Sequence, residues 1–177
     1  MDIRYGMLLG TLLVAGNSSA QTTQVTFTGN LVAATCVVDI NGSRSGDGTI
    51  TLRTVPATAL ATAGSRAGRL NFGVVVGSAD TPCLAQRVQL GFRNNGNVNA
   101  QGRLENRGTA GNVELALLNI DDGGLDIDLS SNRNSQIRDI PQATGWTRLT
   151  YAGEYYATAA ATGGTVTSSV QYDVIYY

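Results

Sequence analysis

Four carboxylates crowd into eight positions, Asp121, Asp122, Asp126 and Asp128. Two chemistries use such a cluster: oxygen ligation of Ca²⁺, and glycoside hydrolysis by a pair of acids. The local pattern favours neither. The run lacks the spacing of a calcium loop, and Asp-Gly is what a tight hairpin turn itself demands. Asp126 and Asp128 fall on one parity of a short segment whose other parity is Leu125, Ile127 and Leu129, the signature of a strand with one solvated face. No metal, cofactor or catalytic residue is assigned on this basis. Histidine is absent from the chain, which removes the commonest general base and metal ligand, so Ser-His-Asp and Cys-His catalysis are excluded. Tyr151, Tyr155, Tyr156, Tyr172, Tyr176 and Tyr177 gather towards the carboxyl end. Tyrosines can stack on sugar rings, but strands are also built from them, and core packing is the simpler reading.

The elements that position these residues begin after an export signal. Arg4 lies in a short polar start, residues 7–15 are largely apolar, and Ser18-Ser19-Ala20 is a small-residue cleavage site. That layout is a secretory signal peptide, residues 1–20, and its apolar run is far shorter than the roughly 20 residues that span a bilayer. Removing it leaves 157 residues, one domain with one core. The formal net charge is −1 and all twelve basic residues are scattered arginines, so nothing draws the protein to nucleic acid. Cys36 and Cys83 are its two cysteines. In an oxidising compartment such a pair is most simply a disulfide, two free thiols being the alternative.

Alternation dominates the exported part. Thr23, Val25, Phe27, Gly29 and Leu31 share one face of a first strand, with Gln24, Thr26, Thr28 and Asn30 on the other. Glycine within such a row marks close approach of another chain element. Residues 32–39 continue extended, and Asn41-Gly42-Ser43 turns them. Further strands are expected at 49–55, 70–76, 87–92, 113–120, 125–129 and 146–158, with at most a helical turn in 57–68. Residues 94–111 and 130–145 read as polar connections. At the end of the chain Val170, Tyr172, Val174 and Tyr176 form the apolar parity of a last strand. So apolar a strand needs partners on both edges, or it becomes an aggregation hazard. Many short strands with turns between them predict an all-β sandwich or barrel.

Taken in order, these residues resemble the structural subunits of chaperone–usher fimbriae, most closely the type 1 pilin group. Val25-Thr26-Phe27-Thr28-Gly29 followed by Cys36-Val37-Val38-Asp39 is similar to that family's N-terminal extension and first strand. Thr51-Leu52, Leu60, Gly68, Phe72 and Cys83 stand where its middle strands and second cysteine fall. Gly164, fourteenth from the end, the penultimate Tyr176, and the run Tyr155-Tyr156-Ala157-Thr158 match its carboxyl-terminal pattern.

The resemblance implies an incomplete immunoglobulin-like β-sandwich, residues 35–177, completed by a donor strand from a neighbouring subunit. The donor segment would be residues 21–34, presenting Thr23, Val25, Phe27, Gly29 and Leu31. The groove that accepts a chaperone or a donor would be lined by Gly164, Val170, Tyr172, Val174 and Tyr176. Neighbouring fimbrial subunits, a periplasmic chaperone and an outer-membrane usher are the implied partners, and the cell-surface fimbrium is the implied destination. Two other classes compete with this structural role: a secreted β-sandwich that binds carbohydrate through its tyrosines, and a hydrolase acting through Asp121 to Asp128.

Overall fold

A computed structural model describes residues 36–177. The signal peptide, the segment 21–34 with Thr23, Val25, Phe27, Gly29 and Leu31, and the boundaries at 20 and 34 lie outside the described residues.

The described chain is built from strands. In order they are β1 (Val38–Ile40), β2 (Arg66–Val76), β3 (Arg87–Arg93), β4 (Leu104–Glu105), β5 (Val113–Asn119), β6 (Leu125–Asp126), β7 (Ile137–Asp139), β8 (Thr147–Ala157) and β9 (Gln171–Tyr176). One 3₁₀ turn, Ala57–Leu60, follows Pro56. The larger sheet has the order β1-β2-β8-β5-β4, with β6 also paired to β5; the smaller has the order β7-β3-β9. All pairings are antiparallel.

The sheets enclose one main core. On β8, Leu149 and Tyr151 turn inward, on β2 Val74 and Val76, and on β3 Val88, Leu90 and Phe92. Tyr151 is wholly buried, its ring 5.8 Å from that of Phe72 and 5.9 Å from that of Phe92. Alternation along β3 and β8 is the sequence pattern made physical: successive side chains point to opposite faces.

β2 begins at Arg66, inside the stretch expected as loop, and β6 ends at Asp126, short of the expected 129; three further segments differ more. Residues 49–55 form no strand: Ile50 packs against the main core and Val55 against a smaller one, but no described strand runs beside them. Their alternation records one-sided burial without ladder pairing. Residues 130–145 contain β7, with Gln136 and Ile140 buried. A short edge strand set in polar turns has too few residues to show a period. Residues 94–111 contain β4 and are cross-braced by Asn94, Asn97, Asn99 and Asn106 through side-chain bonds to backbone, so the asparagines there hold a structured connection.

Cys36 and Cys83 are bridged, with Cα atoms 5.1 Å apart and a sequence separation of 47. The bridge ties the approach to β1, in one sheet, to the approach to β3, in the other. Closing a loop of that size stabilises by roughly 4 kcal/mol in the chain-entropy treatment. A Cys36→Ser/Cys83→Ser variant is therefore expected to lose about that much in a urea melt of the exported protein, and a midpoint equal to that of the parent would contradict the role of the bridge.

Candidate functional site

Three of the four clustered carboxylates are already engaged. Asp126 pairs with Arg66, which also reaches Glu154 at 2.7 Å, and Arg69 meets Glu154 at 2.8 Å. Asp121 accepts the Thr150 amide at 3.0 Å and pairs with Arg138 at 3.2 Å. Asp128 accepts the hydroxyls of Ser130 and Ser131 at 2.6 and 2.7 Å, and these bonds hold its carboxyl at about 2. The Arg66 guanidinium likewise holds Asp126 below the usual carboxylate range. Asp121, Asp126 and Asp128 thus serve a turn or an arginine, Asp122 lies exposed, and among the described residues no three candidate ligands converge on a metal position.

The stretch 164–176 is organised differently. Val166, Ser168, Val170, Tyr172, Val174 and Tyr176 form one half-buried row, while Thr165, Thr167, Ser169, Gln171 and Ile175 alternate with them in solvent. One edge of this stretch is held. Thr165 and Thr167 carbonyls accept the amides of Ala110 and Arg107, and the Ser169 carbonyl accepts the Asn97 side-chain amide. Further along, β9 pairs with β3, from Gln171 opposite Arg93 to Tyr176 opposite Val88.

The other edge has no partner among the described residues. Among the described residues the backbone groups of Val166, Ser168 and Val170 find no partner, β9 has no second neighbour, and the buried Ser168 hydroxyl is likewise unbonded. An unpaired strand edge of this length is costly to bury and hazardous to expose.

Two hollows flank the row. One, about 520 Å³, is lined by Val170, Tyr172 and Val174 on one side and by Val38, Gly46 and Asp47 on the other. The second, about 380 Å³, lies between Gly164, Val166 and Thr167 and the bank formed by Thr54, Val55, Ala57 and Leu60. Tyr172 and Tyr176 tie the row to the facing bank, their hydroxyls donating to the carbonyls of Gly46 and Cys36. Burial pushes both phenols up, so they stay protonated donors at neutral pH.

Val170, Tyr172, Val174 and Tyr176 are thus brought together as one row beside the main core. Gly164 stands at the far end of the same row, in the second hollow. A Cβ there would collide with the Ala110 nitrogen, a backbone atom that cannot swing aside. Val166 and Ser168 belong to the row and carry no chemical mark of their own in the sequence, although they share its parity. Residues on the facing bank, such as Val38, Thr54 and Leu60, are far from it in sequence and carry no pattern pointing to it.

Comparisons with known proteins agree with this geometry. No protein-family model matches the chain. It is 37% identical to "Major fimbrial subunit SMF-1" of Stenotrophomonas maltophilia (strain K279a), covering 96% of this chain and 99% of that protein. It is 35% identical to "F17 fimbrial protein" of Escherichia coli, over 96% of each. The fold matches the P pilus rod subunit PapA with a TM-score of 0.60 at 16% identity, covering 81% of this chain and all of that one. A subunit in a chaperone–usher pilus structure concerned with rod uncoiling matches with a TM-score of 0.59, also at 16% identity, over 92% of this chain and all of that one.

These likenesses define the class, and the edge of β9 left unpaired among the described residues accords with it: an all-β, immunoglobulin-like sandwich short of one strand. The chain belongs to the fimbrial subunits of that class. It is a structural subunit of a fimbrium, exported and assembled with neighbouring subunits at the cell surface.

Two variants probe the local geometry. Gly164→Val should distort the hollow against Ala110 at a cost of about 1–3 kcal/mol, read as a lower midpoint in urea; a neutral result would show that the Ala110 segment yields freely. Asp128→Asn removes a carboxyl whose folded pKa lies below its unfolded value near 4. Such a group contributes stability that is fully present above the unfolded value and is lost as pH falls through the folded one. The parent should therefore lose stability more steeply than the variant between about pH 4 and pH 2, followed by circular dichroism.

Proposed function

We propose that subunits join by donor-strand exchange: residues 21–34 of one copy lie along the bare 164–176 edge of another. The observation that carries this reading is that edge, a half-buried apolar row whose backbone groups are unpaired among the described residues while its opposite edge is held. Two properties of the segment 21–34 support the match. It has no charged residue, and its row Thr23, Val25, Phe27, Gly29 and Leu31 repeats at the two-residue spacing of the acceptor row. Donor-strand complementation between pilins and their chaperones is an established form of strand addition to an exposed sheet edge, and the bare edge here is suited to it. On this reading a periplasmic chaperone covers the edge first, an outer-membrane usher directs the exchange, residues 1–20 are removed on export, and residues 35–177 form the pilin domain. The chain carries no catalytic role in this scheme.

The energetics are adequate. Each apolar donor side chain buried contributes about 1.5–3 kcal/mol, and each ladder hydrogen bond about 1 kcal/mol. A handful of each is comparable with the roughly 5–15 kcal/mol net stability of an ordinary domain, so the last strand decides whether the subunit persists.

A copy of residues 21–34 joined after Tyr177 by a flexible linker should fill the edge in cis. The product is expected to be a soluble monomer with a markedly higher melting temperature, while deleting residues 21–34 from the amino end should leave a subunit that accepts but cannot donate. Unchanged melting on adding the copy would mean that the sandwich is already complete, and a carbohydrate-binding module would then be the better reading.

A further inference from the structure

The two eleven-residue strands β2 and β8 run antiparallel through the larger sheet and give the domain two distinct ends. Where β2 finishes and β8 begins, Gly77 is packed from three sides. Its amide donates to the Val37 carbonyl at 2.8 Å, and a Cβ on it would lie 3.0 Å from the Cys83 Cβ and 3.1 Å from the Trp146 Cα. Around this hub Val37, Leu84 and Trp146 are 46, 70 and 41% exposed. Three large apolar side chains therefore stand in solvent around the Cys36–Cys83 bridge. At the opposite end, about 33 Å away along β2, the loops 57–64 and 158–164 are joined by bonds from Ala161 to Leu60 and from Gly64 to Ala157. The exposed side chains there include Ala59, Ala61, Ala63, Ala159 and Ala160. One end presents bulky apolar side chains; the other presents small ones, alanines interleaved with the exposed Thr58, Thr62 and Thr158.

We infer that the Val37, Leu84 and Trp146 cap seats on the alanine-rich end of a second copy of this chain, namely the copy whose bare edge holds its residues 21–34. This rests on the donor-strand reading. The length of chain leading into the cap identifies the occupant. Leu31 and Cys36 are five positions apart, which an extended chain spans in at most about 18 Å, so the body that follows a docked donor strand starts close to where that strand leaves its groove. The residue that starts it, Cys36, sits in the middle of the cap.

The direction follows from the row itself. Gly164 lies at the alanine-rich end, beside Thr109 and Ala110, and Tyr176 at the cap end, its hydroxyl towards the Cys36 carbonyl. A donor antiparallel to β9 leaves at the alanine-rich end and sets cap against alanines. A parallel donor would set cap against cap, a like-on-like contact that closes into a dimer instead of extending a fibre. The contact of unlike ends repeats without limit, and the short tether raises the effective concentration of the two surfaces, so a weak contact suffices.

The test uses fibres shed from cells that make and assemble the full chain, with a photoreactive p-benzoylphenylalanine placed at one position at a time. With the probe at Trp146, irradiation should link a second copy through peptides containing residues 57–64 or 158–164. With the probe at Phe27, it should link through residues 164–176, which reports donor pairing separately. Adding Leu84→Asp should lower the yield from position 146 about tenfold, equivalent to about 1.4 kcal/mol, and leave the yield from position 27 unchanged. If position 27 links as expected while position 146 reaches only its own chain or some other surface, the end contact is overturned and donor pairing stands. If position 27 fails to reach residues 164–176, the donor-strand reading falls and the inference falls with it.

Discussion

Backbone amides and carbonyls taken out of water must find partners, and in this domain one edge cannot meet that requirement among the described residues. Along 164–176 the outer edge is held by β3 and by the asparagine-braced loop before β5, while the inner edge has no partner among the described residues. The row beneath that edge is half-buried against the core, so it cannot be solvated as an ordinary surface strand would be. The rest of the fold is arranged around that deficit. The bridge from Cys36 to Cys83 holds the two sheets together at one end, and Tyr172 and Tyr176 span the gap to the facing bank. A missing strand leaves a slot only if its banks are kept apart and in place, and these contacts do that.

The outer face of the larger sheet meets the opposite demand, to stay soluble and inert. Glu154 is 3% exposed and would be expensive to ionise alone, but Arg66 and Arg69 both donate to it. Arg66 also pairs with Asp126, and the Arg66 and Arg103 guanidiniums lie over the Tyr156 ring at 5.1 and 4.0 Å from its centroid. A planar, permanently charged fork can bond a carboxylate and stack on a ring at once, which an ammonium cannot. Three of the arginines, Arg66, Arg69 and Arg103, far apart in sequence, are thus brought to one patch of that face.

Much of the fold was legible because sheet burial has a period of two. β3, β5, β8 and β9 fall within a few residues of where alternation placed them, and the Asp-Gly turn before Leu125 joins β5 to β6 as its residues require. Alternation misled at 49–55, where one-sided burial occurs without a ladder, and it was silent at β7 and β4, which are too short to show a period.

For the site, the sequence determined the row and its chemistry. The parity of Val170, Tyr172, Val174 and Tyr176 is a local property, and so is the absence of histidine that rules out the commonest catalysis. Which edge of the row is satisfied could not be read there, because hydrogen-bond partners of a strand lie tens of positions away and leave no mark on its own pattern. Only the tertiary structure places residues 106–110 and β3 on one side and nothing from 36–177 on the other. Likewise, the acidic cluster shows its residue types in the sequence, but its dispersal onto Arg66, Arg138 and two serines depends on strands brought together by the fold. Composition and period are set by neighbours in the chain; the pairing of an edge is set by neighbours in space.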